Sequence, residues 1–473
     1  MRNIKFGTDG WRGIMAKDFT FENVKFVVQA IASFLQDHPL KENGVIIGYD
    51  NRFLSEHFAL ESVRVLAGNG IKSLLVNKAT PTPVTAYAIT THNAAGAIMI
   101  TASHNPPEYN GIKFIPDYAG PALPDITDKI ETELNYTLSI GRINEATIKM
   151  SQEEGLYREF DPMPEYIKHI KQLINLDVIS KADLKIVVDP MFGAGIGYLD
   201  QIFEEAGCRV LTINNYREPL FGGSMPEPSA KVLTKLKSRV LAEGADLGLA
   251  LDGDADRFGI IDSNGEYINA NRVLPMLYYH LLDVRKLRGP VARSVATTHM
   301  LDRMAEKYGY QAEETPVGFK YIGEAMRLRG SVLGGEESGG LSIHGHIPEK
   351  DGILACLLMA EIRAIHGKTL MGIIKQIMDE FGYVANERLD IQVDGQEKER
   401  INKELQEFKP TTFNGQEVVQ LNQIDGTKIV IADGSWTLIR PSGTEPLFRI
   451  YVEANSDEQM KEMQKTVRET FGM

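Results

Sequence analysis

The feature that most constrains this chain is a threefold recurrence of short apolar runs, each followed by an amphipathic helical stretch. GVIIGYD (44–50), LKIVVDP (184–190) and PVARSVATTH (290–299) read as buried strands that empty into polar loops, with a helix-sized segment after each. A glycine then ends that helix and opens another strand, at NGIKSLLVN (69–77), AGCRVLTIN (206–214) and YGYQAEETP (308–316). A second helix and a third strand complete each set, at AGAIMITASHNPP, GADLGLALDGDADR and GSVLGGEESGG. This alternation predicts βαβ units on mostly parallel sheets. Gly70, Gly207 and Gly309 stand 137 and then 102 residues apart, so the recurrence is one of order, not of identity.

After about residue 380 the pattern changes to ERLDIQVD, a charged helical stretch (EKERINKELQEF), strands at GTKIVIAD, SWTLIRP and LFRIYVEA, and a last amphipathic helix. This predicts a smaller α+β domain with an antiparallel sheet. Open α/β sheets bind ligands at the carboxyl ends of their strands, so three such sheets are expected to bring their loops to one cleft.

Charge and cysteine content narrow the function. Lys and Arg number 51 against 64 Asp and Glu, a formal charge of −13, which argues against nucleic acid or an anionic membrane as partner. An anionic ligand must therefore meet a local basic site. The two cysteines, Cys208 and Cys356, stand in apolar contexts and build no disulfide framework, which suits a reducing cytoplasm. MRNIKFGTDG has no apolar core for a signal peptide, and ILACLLMA (353–360) falls far short of the ~20 residues of a spanning helix. A cytoplasmic protein is expected.

Four loops carry chemistry. Asp252, Asp254 and Asp256 in LALDGDADRFGIID are hard oxygen donors on alternate positions, suited to a divalent cation such as Mg²⁺. A calcium loop does not fit, because Arg257 occupies its sixth position and Ser263 its twelfth. A solvated acidic turn is the bland alternative, and Arg257 either steadies a phosphoryl oxygen or neutralises carboxylates. In TASHNPPEYNGIK (101–113), Ser103 is a candidate nucleophile with His104 and Lys113 as acid/base neighbours; a plain Asn-Pro-Pro turn would look similar. TLIRPSGTEPLFRIYVE (437–453) gathers Arg440, Ser442, Gly443, Thr444 and Arg449 around one turn, either a phosphate cradle or an ordinary hairpin. GGEESGG (334–340) offers Glu336 and Ser338 to sugar hydroxyls, with Gly318, Lys320, His346 and Lys350 able to complete that face. Arg12 adds a cation in GTDGWRG.

In this order, GTDGWRG, TASHNPPEYNGIK, DGDADR, GEESGG and RPSGTEP resemble the α-D-phosphohexomutase family of phosphoglucomutases, phosphomannomutases and phosphoglucosamine mutases, over essentially the whole chain. The resemblance implies three similar α/β/α sandwich domains and a C-terminal α+β domain around a central cleft. The expected spans are 1–150, 151–262, 263–377 and 378–473.

It also implies roles. Ser103 would carry a phosphoryl group, and its oxygen with Asp252, Asp254 and Asp256 would hold Mg²⁺. His104 and Lys113 would serve as acid and base, and Arg12 and Arg257 would steady the phosphoryl. Arg440, Ser442, Gly443, Thr444 and Arg449 would grip the distal phosphate, and Glu336 and Ser338 the sugar. The expected reaction interconverts hexose 1- and 6-phosphates through a hexose 1,6-bisphosphate, with glucose 1,6-bisphosphate as activator. Glu337 resembles the glucose enzymes, so glucose is the expected sugar; mannose or glucosamine, or a bisphosphate synthase or phosphatase, are the alternatives.

Overall fold

The computed structural model describes residues 4–5, 10–442 and 446–473, and these described residues form four sheets. The nine strands read from the recurrence are present in order. They are Val45–Tyr49, Ser73–Val76 and Gly96–Ile100, then Lys185–Asp189, Arg209–Thr212 and Leu247–Leu251, then Val291–Ser294, Ala312–Thr315 and Leu333–Gly335. In every set the first strand lies between the other two and pairs with both in parallel. In every set, too, the third strand turns back as an antiparallel hairpin, with Tyr109–Pro116, Phe258–Asp262 or Leu341–Ile343. The three domains therefore share one topology.

Each of the first three sheets is covered on both faces, as a parallel sheet with two buried faces requires. In the first domain, helices Phe21–Phe34, Ser55–Gly68 and Pro124–Ile140 pack on one face and Thr82–His92 on the other. The second and third domains share a continuous apolar core. Its centre is helix Gly352–His366, whose residues from Gly352 to Ile362 are all buried. The run ILACLLMA is thus a core helix between two domains, and Cys356 within it is fully buried. Among the described residues no helix is long and apolar enough to cross a membrane.

The first two sheets extend past the expected junctions. Strand Tyr157–Phe160 adds to the edge of the first sheet, and Tyr267–Ile268 to the second. A two- or four-residue edge strand carries too little periodicity to be read in sequence.

The C-terminal domain is a six-stranded antiparallel sheet in the order Ala385–Gln392, Leu447–Ala454, Trp436–Pro441, Thr427–Ile431, Gln416–Asn422 and Thr412–Phe413. Helices Gly395–Glu407 and Asp457–Phe471 bury an apolar stripe against one face, through Ile401, Leu405, Met463 and Val467. The opposite face meets the third domain around Trp436, Leu438 and Tyr451.

Candidate active site

The three hairpins carry the loaded loops at their tips: residues 101–108, 252–257 and 336–340. Because each follows the third strand of its sheet, all three open at carboxyl ends, where backbone groups have no further strand to pair with.

The first two tips meet. Ser103 Oγ donates to Asp252 Oδ2 at 3.0 Å and lies 3.4 Å from His104 Nδ1. Ser103 is 1% exposed and has φ +49°, a left-handed conformation that side chains adopt at a cost. The approach is close: a Cβ on Gly253 would stand 2.7 Å from the Ser103 carbonyl oxygen, so only glycine fits there. A Cβ on Gly10 would stand 2.1 Å from the Ile112 carbonyl oxygen, and this contact lays the N-terminal strand across Tyr109–Pro116. Arg12 on that strand reaches back to donate to Asn105 Oδ1 at 2.6 Å.

The Asp252, Asp254 and Asp256 carboxylates are buried, with donor atoms within 4.8 Å of one another. Asp252 accepts from the Arg257 amide at 3.0 Å, and Asp254 from Thr82 Oγ1 at 2.7 Å. Lys113 Nζ lies 2.8 Å from Asp254 and 3.2 Å from Asp256, and Lys350 Nζ lies 3.1 Å from Asp256. Burial first, then repulsion from Asp254 and Asp256, pushes Asp252 well above the usual carboxylate range. Burial also opposes ionisation of Asp254, but Lys113 and Thr82 outweigh it and hold that carboxyl low. Two oxygens, Asp254 Oδ1 and Asp256 Oδ1, are buried with no hydrogen-bond partner. Such orphans are rare in folded proteins, and a set of hard oxygens holding two of them fits a divalent cation.

Above this cluster opens a cleft of about 440 Å³. Arg12, His104 and Arg257 of the first two domains line it, with Gly318, Glu336, Ser338 and Lys350 of the third and Arg440 and Arg449 of the fourth. Arg257, then burial and Arg12, hold the His104 imidazole well below its usual range, so it faces the cleft neutral. Glu336 is oriented from behind, accepting from the Gly318 amide at 2.8 Å. Asp425 accepts from Arg440 Nε at 2.8 Å and from the Val317 amide at 3.0 Å, tying Arg440 to the segment that precedes Gly318.

Some expected ligands lie elsewhere. His346 faces a junction of three domains, not the cleft: its ring bonds Asp351 at 2.9 Å and His169 at 3.1 Å, and stacks near Tyr87. Asp351 already caps helix Gly352–His366 through the Leu354 amide, which pins His346 beside it. Lys320 does not line the cleft either, its ammonium standing 5.3 Å from the Tyr321 ring. It is the second residue of helix Phe319–Arg329, rotated about 100° from Phe319, which does line the cleft. Ser442 is buried at the start of its turn, with its carbonyl accepting from Lys398. Gly443 and Thr444 lie outside the described residues.

The sequence reading does not single out Asp50, Arg52, Thr82 or Arg388. Arg52 is fully buried beneath the Ser103 loop, and Arg388 lines the cleft. The run Asp50-Asn51-Arg52 follows the first strand's carboxyl end, the same signal that marks the other loops. Arg388 is recognisable only from sheet register, since it pairs with Tyr451 and so shares the face that carries Arg440 and Arg449.

Three α/β/α domains and an antiparallel fourth surround one cleft lined by His104, Glu336 and several arginines, the arrangement of a multidomain enzyme. Four family models describe this chain in order: phosphoglucomutase/phosphomannomutase alpha/beta/alpha domain I over residues 3–139, domain II over 164–265, domain III over 269–381 and the C-terminal domain over 391–470. The chain belongs to the phosphoglucomutase/phosphomannomutase family, the α-D-phosphohexomutases, whose members are isomerases of the phosphotransferase kind. A phosphoglucomutase/phosphomannomutase of Thermococcus kodakarensis is 32% identical over 97% of this chain and 96% of its own. A protein of Methanothermobacter thermautotrophicus named as a probable phosphoglucosamine mutase is 31% identical over 98% and 96%. A solved structure from Thermus thermophilus, named for phosphomannomutase, superposes with a TM-score of 0.84 at 32% identity, covering 99% of both chains.

Proposed function

We propose that this protein interconverts glucose 1-phosphate and glucose 6-phosphate in the cytoplasm, with Ser103 as the phosphoryl carrier. The observation that carries the reading is Ser103 Oγ, 3.0 Å from Asp252 and 3.4 Å from His104, which lines the same cleft as Arg440 and Arg449. The serine suits the reacting phosphoryl, and the two arginines the phosphate that does not react.

The chemistry balances in two half-reactions. Phosphorylated Ser103 loses its phosphoryl to O6 of glucose 1-phosphate: the Oγ–P bond breaks, the O6–P bond forms, and the O6 proton passes to a base. Glucose 1,6-bisphosphate then turns end for end; the O1–P bond breaks, the Oγ–P bond forms again, and the proton returns to O1. His104, neutral and on the cleft wall, takes and returns this proton; Lys113 is ion-paired with Asp254 and Asp256. Arg12 and Arg257 steady the moving phosphoryl, and Glu336 and Ser338 receive the sugar hydroxyls in either orientation. Asp252, Asp254 and Asp256 with an oxygen on Ser103 would hold Mg²⁺, which supplies electrostatic stabilisation of phosphoryl charge when bound. Glucose 1,6-bisphosphate would restore any Ser103 that has lost its phosphoryl.

Glu337 beside Glu336 supports glucose. The names of the relatives support a second reading, the same apparatus acting on mannose or glucosamine 1-phosphate. ³¹P NMR with Mg²⁺ and trace glucose 1,6-bisphosphate, with the three sugar 1-phosphates in competition, tests both. Fastest formation of glucose 6-phosphate supports the first reading, and preference for another sugar the second. Release of free phosphate without isomerisation overturns both in favour of a phosphatase.

A further inference from the structure

We infer that Arg52 is a positioning residue that fixes the backbone of Ser103 for phosphoryl transfer; the inference rests on the reading of Ser103 as phosphoryl carrier. Arg52 follows the strand Val45–Tyr49, next to the strand Gly96–Ile100 whose hairpin carries Ser103. Its guanidinium clasps that hairpin tip from below. Nη2 donates to the carbonyls of Ser103 at 2.7 Å and Asn105 at 2.6 Å, and Nη1 to those of Pro106 at 2.8 Å and Tyr109 at 3.0 Å. Nε pairs with Asp50 at 3.2 Å, and the Phe221 ring of the second domain closes the pocket 5.0 Å from Cζ.

Both backbone groups of Ser103 trace back to one carboxylate. The Ser103 amide donates to Thr101 Oγ1 at 2.8 Å, and Thr101 Oγ1 donates to Asp50 Oδ2 at 2.6 Å. The Ser103 carbonyl accepts from Arg52, whose Nε meets that same Asp50 oxygen. Asp50 is itself immobilised by the Arg52 amide at 3.0 Å and Ser55 Oγ at 2.9 Å. A serine at φ +49° persists only where its surroundings over-determine it, and this ring of contacts does so. The arrangement needs a planar fork: four carbonyls in two directions lie beyond the reach of a single ammonium.

The requirement comes from the chemistry. Ser103 Oγ must present the same line of attack in two half-reactions, once as leaving oxygen and once as nucleophile. Displacing a reacting atom by about 1 Å costs about 10²-fold in rate. Arg52 is 0% exposed and does not line the cleft, so it acts through Ser103 and not on the sugar phosphate. Its loss should therefore lower kcat and leave KM unchanged.

The experiment compares wild type with Arg52→Lys, which keeps the charge beside Asp50 and loses the fork. Steady-state kinetics with glucose 1-phosphate and glucose 1,6-bisphosphate are run beside intact-mass measurement of the rate at which Ser103 gains a phosphoryl. The expected result is a kcat lower by about 10²-fold, an unchanged KM and an equally slowed phosphorylation of Ser103. If Arg52→Lys does not fold, Thr101→Val, which strips the partner from the Ser103 amide and spares the ion pair, carries the same expectation with a smaller loss. An unchanged kcat, or a change confined to KM, in a folded variant overturns the inference. A wild-type protein that never gains a phosphoryl on Ser103 overturns the reading beneath it instead.

Discussion

Arg440 and Arg449 stand directly opposite each other on adjacent antiparallel strands, and both line the cleft that His104 lines. Like charges in that register destabilise a sheet unless an anion lies between them. Asp425 accepts from Arg440 Nε, and in the proposed reaction the non-reacting phosphate would meet both guanidinium groups. Arg449→Gln is expected to raise KM for the hexose phosphate by about tenfold or more, the worth of a charged hydrogen bond, with a smaller effect on kcat. Steady-state kinetics on the purified variant check this, and an unchanged KM removes Arg449 from the phosphate site.

His104 gives a contrasting pattern. It lies beside Ser103 and holds a neutral imidazole, so His104→Gln should lower kcat by about 10²- to 10⁴-fold with KM little changed. Ser103→Ala should abolish turnover and phosphoryl uptake alike. A kcat near wild type in His104→Gln would pass the base role to Lys113.

Without a divalent cation, the aspartate cluster is a liability. The folded-state carboxyl of Asp252 is raised, so the folded protein holds a proton there that the unfolded chain has already lost. Metal-free stability should therefore fall as pH rises above the ordinary carboxylate range. Asp252→Asn is expected to melt higher than wild type in chelator, and to lose the further rise that Mg²⁺ gives wild type. Differential scanning calorimetry with and without Mg²⁺ reads both effects.

The junction holding His346 predicts an acid-sensitive contact. Burial, then His346, lowers the His169 imidazole to about 4 from its usual 6.5. Between those values the unfolded chain binds a proton that the folded protein refuses, so stability should drop as pH falls from 6.5 to 4. His169→Phe, stacking on Tyr87 in its place, should flatten that slope in thermal melts.

Lys428 anchors the fourth domain to the third. It is 1% exposed, donates to the Val295 carbonyl at 2.9 Å and lies 2.8 Å from His299 Nε2, with Glu314 as its ion-pair partner. Lys428→Met leaves the partly buried Glu314 paired with Arg293 but with one partner fewer, at a cost of about 1–3 kcal/mol in denaturant unfolding.

Sequence alone determined the three strand–helix sets, the antiparallel fourth domain and the loops that carry Ser103, the aspartates and Glu336. Periodicity and strand-end position are local properties, and polar residues at the carboxyl end of an apolar run announce themselves. What local pattern could not decide was how those loops are held and which neighbouring side chains face the cleft. Arg52 works through carbonyls 51 to 57 residues away, and Arg388 faces the cleft only through its register with Tyr451. His346, by contrast, stands in a loop that looks like a ligand segment, yet Asp351 and His169 turn it toward the domain junction. Hydrogen-bonding groups are satisfied by whatever the fold brings near, and only the tertiary structure specifies that company.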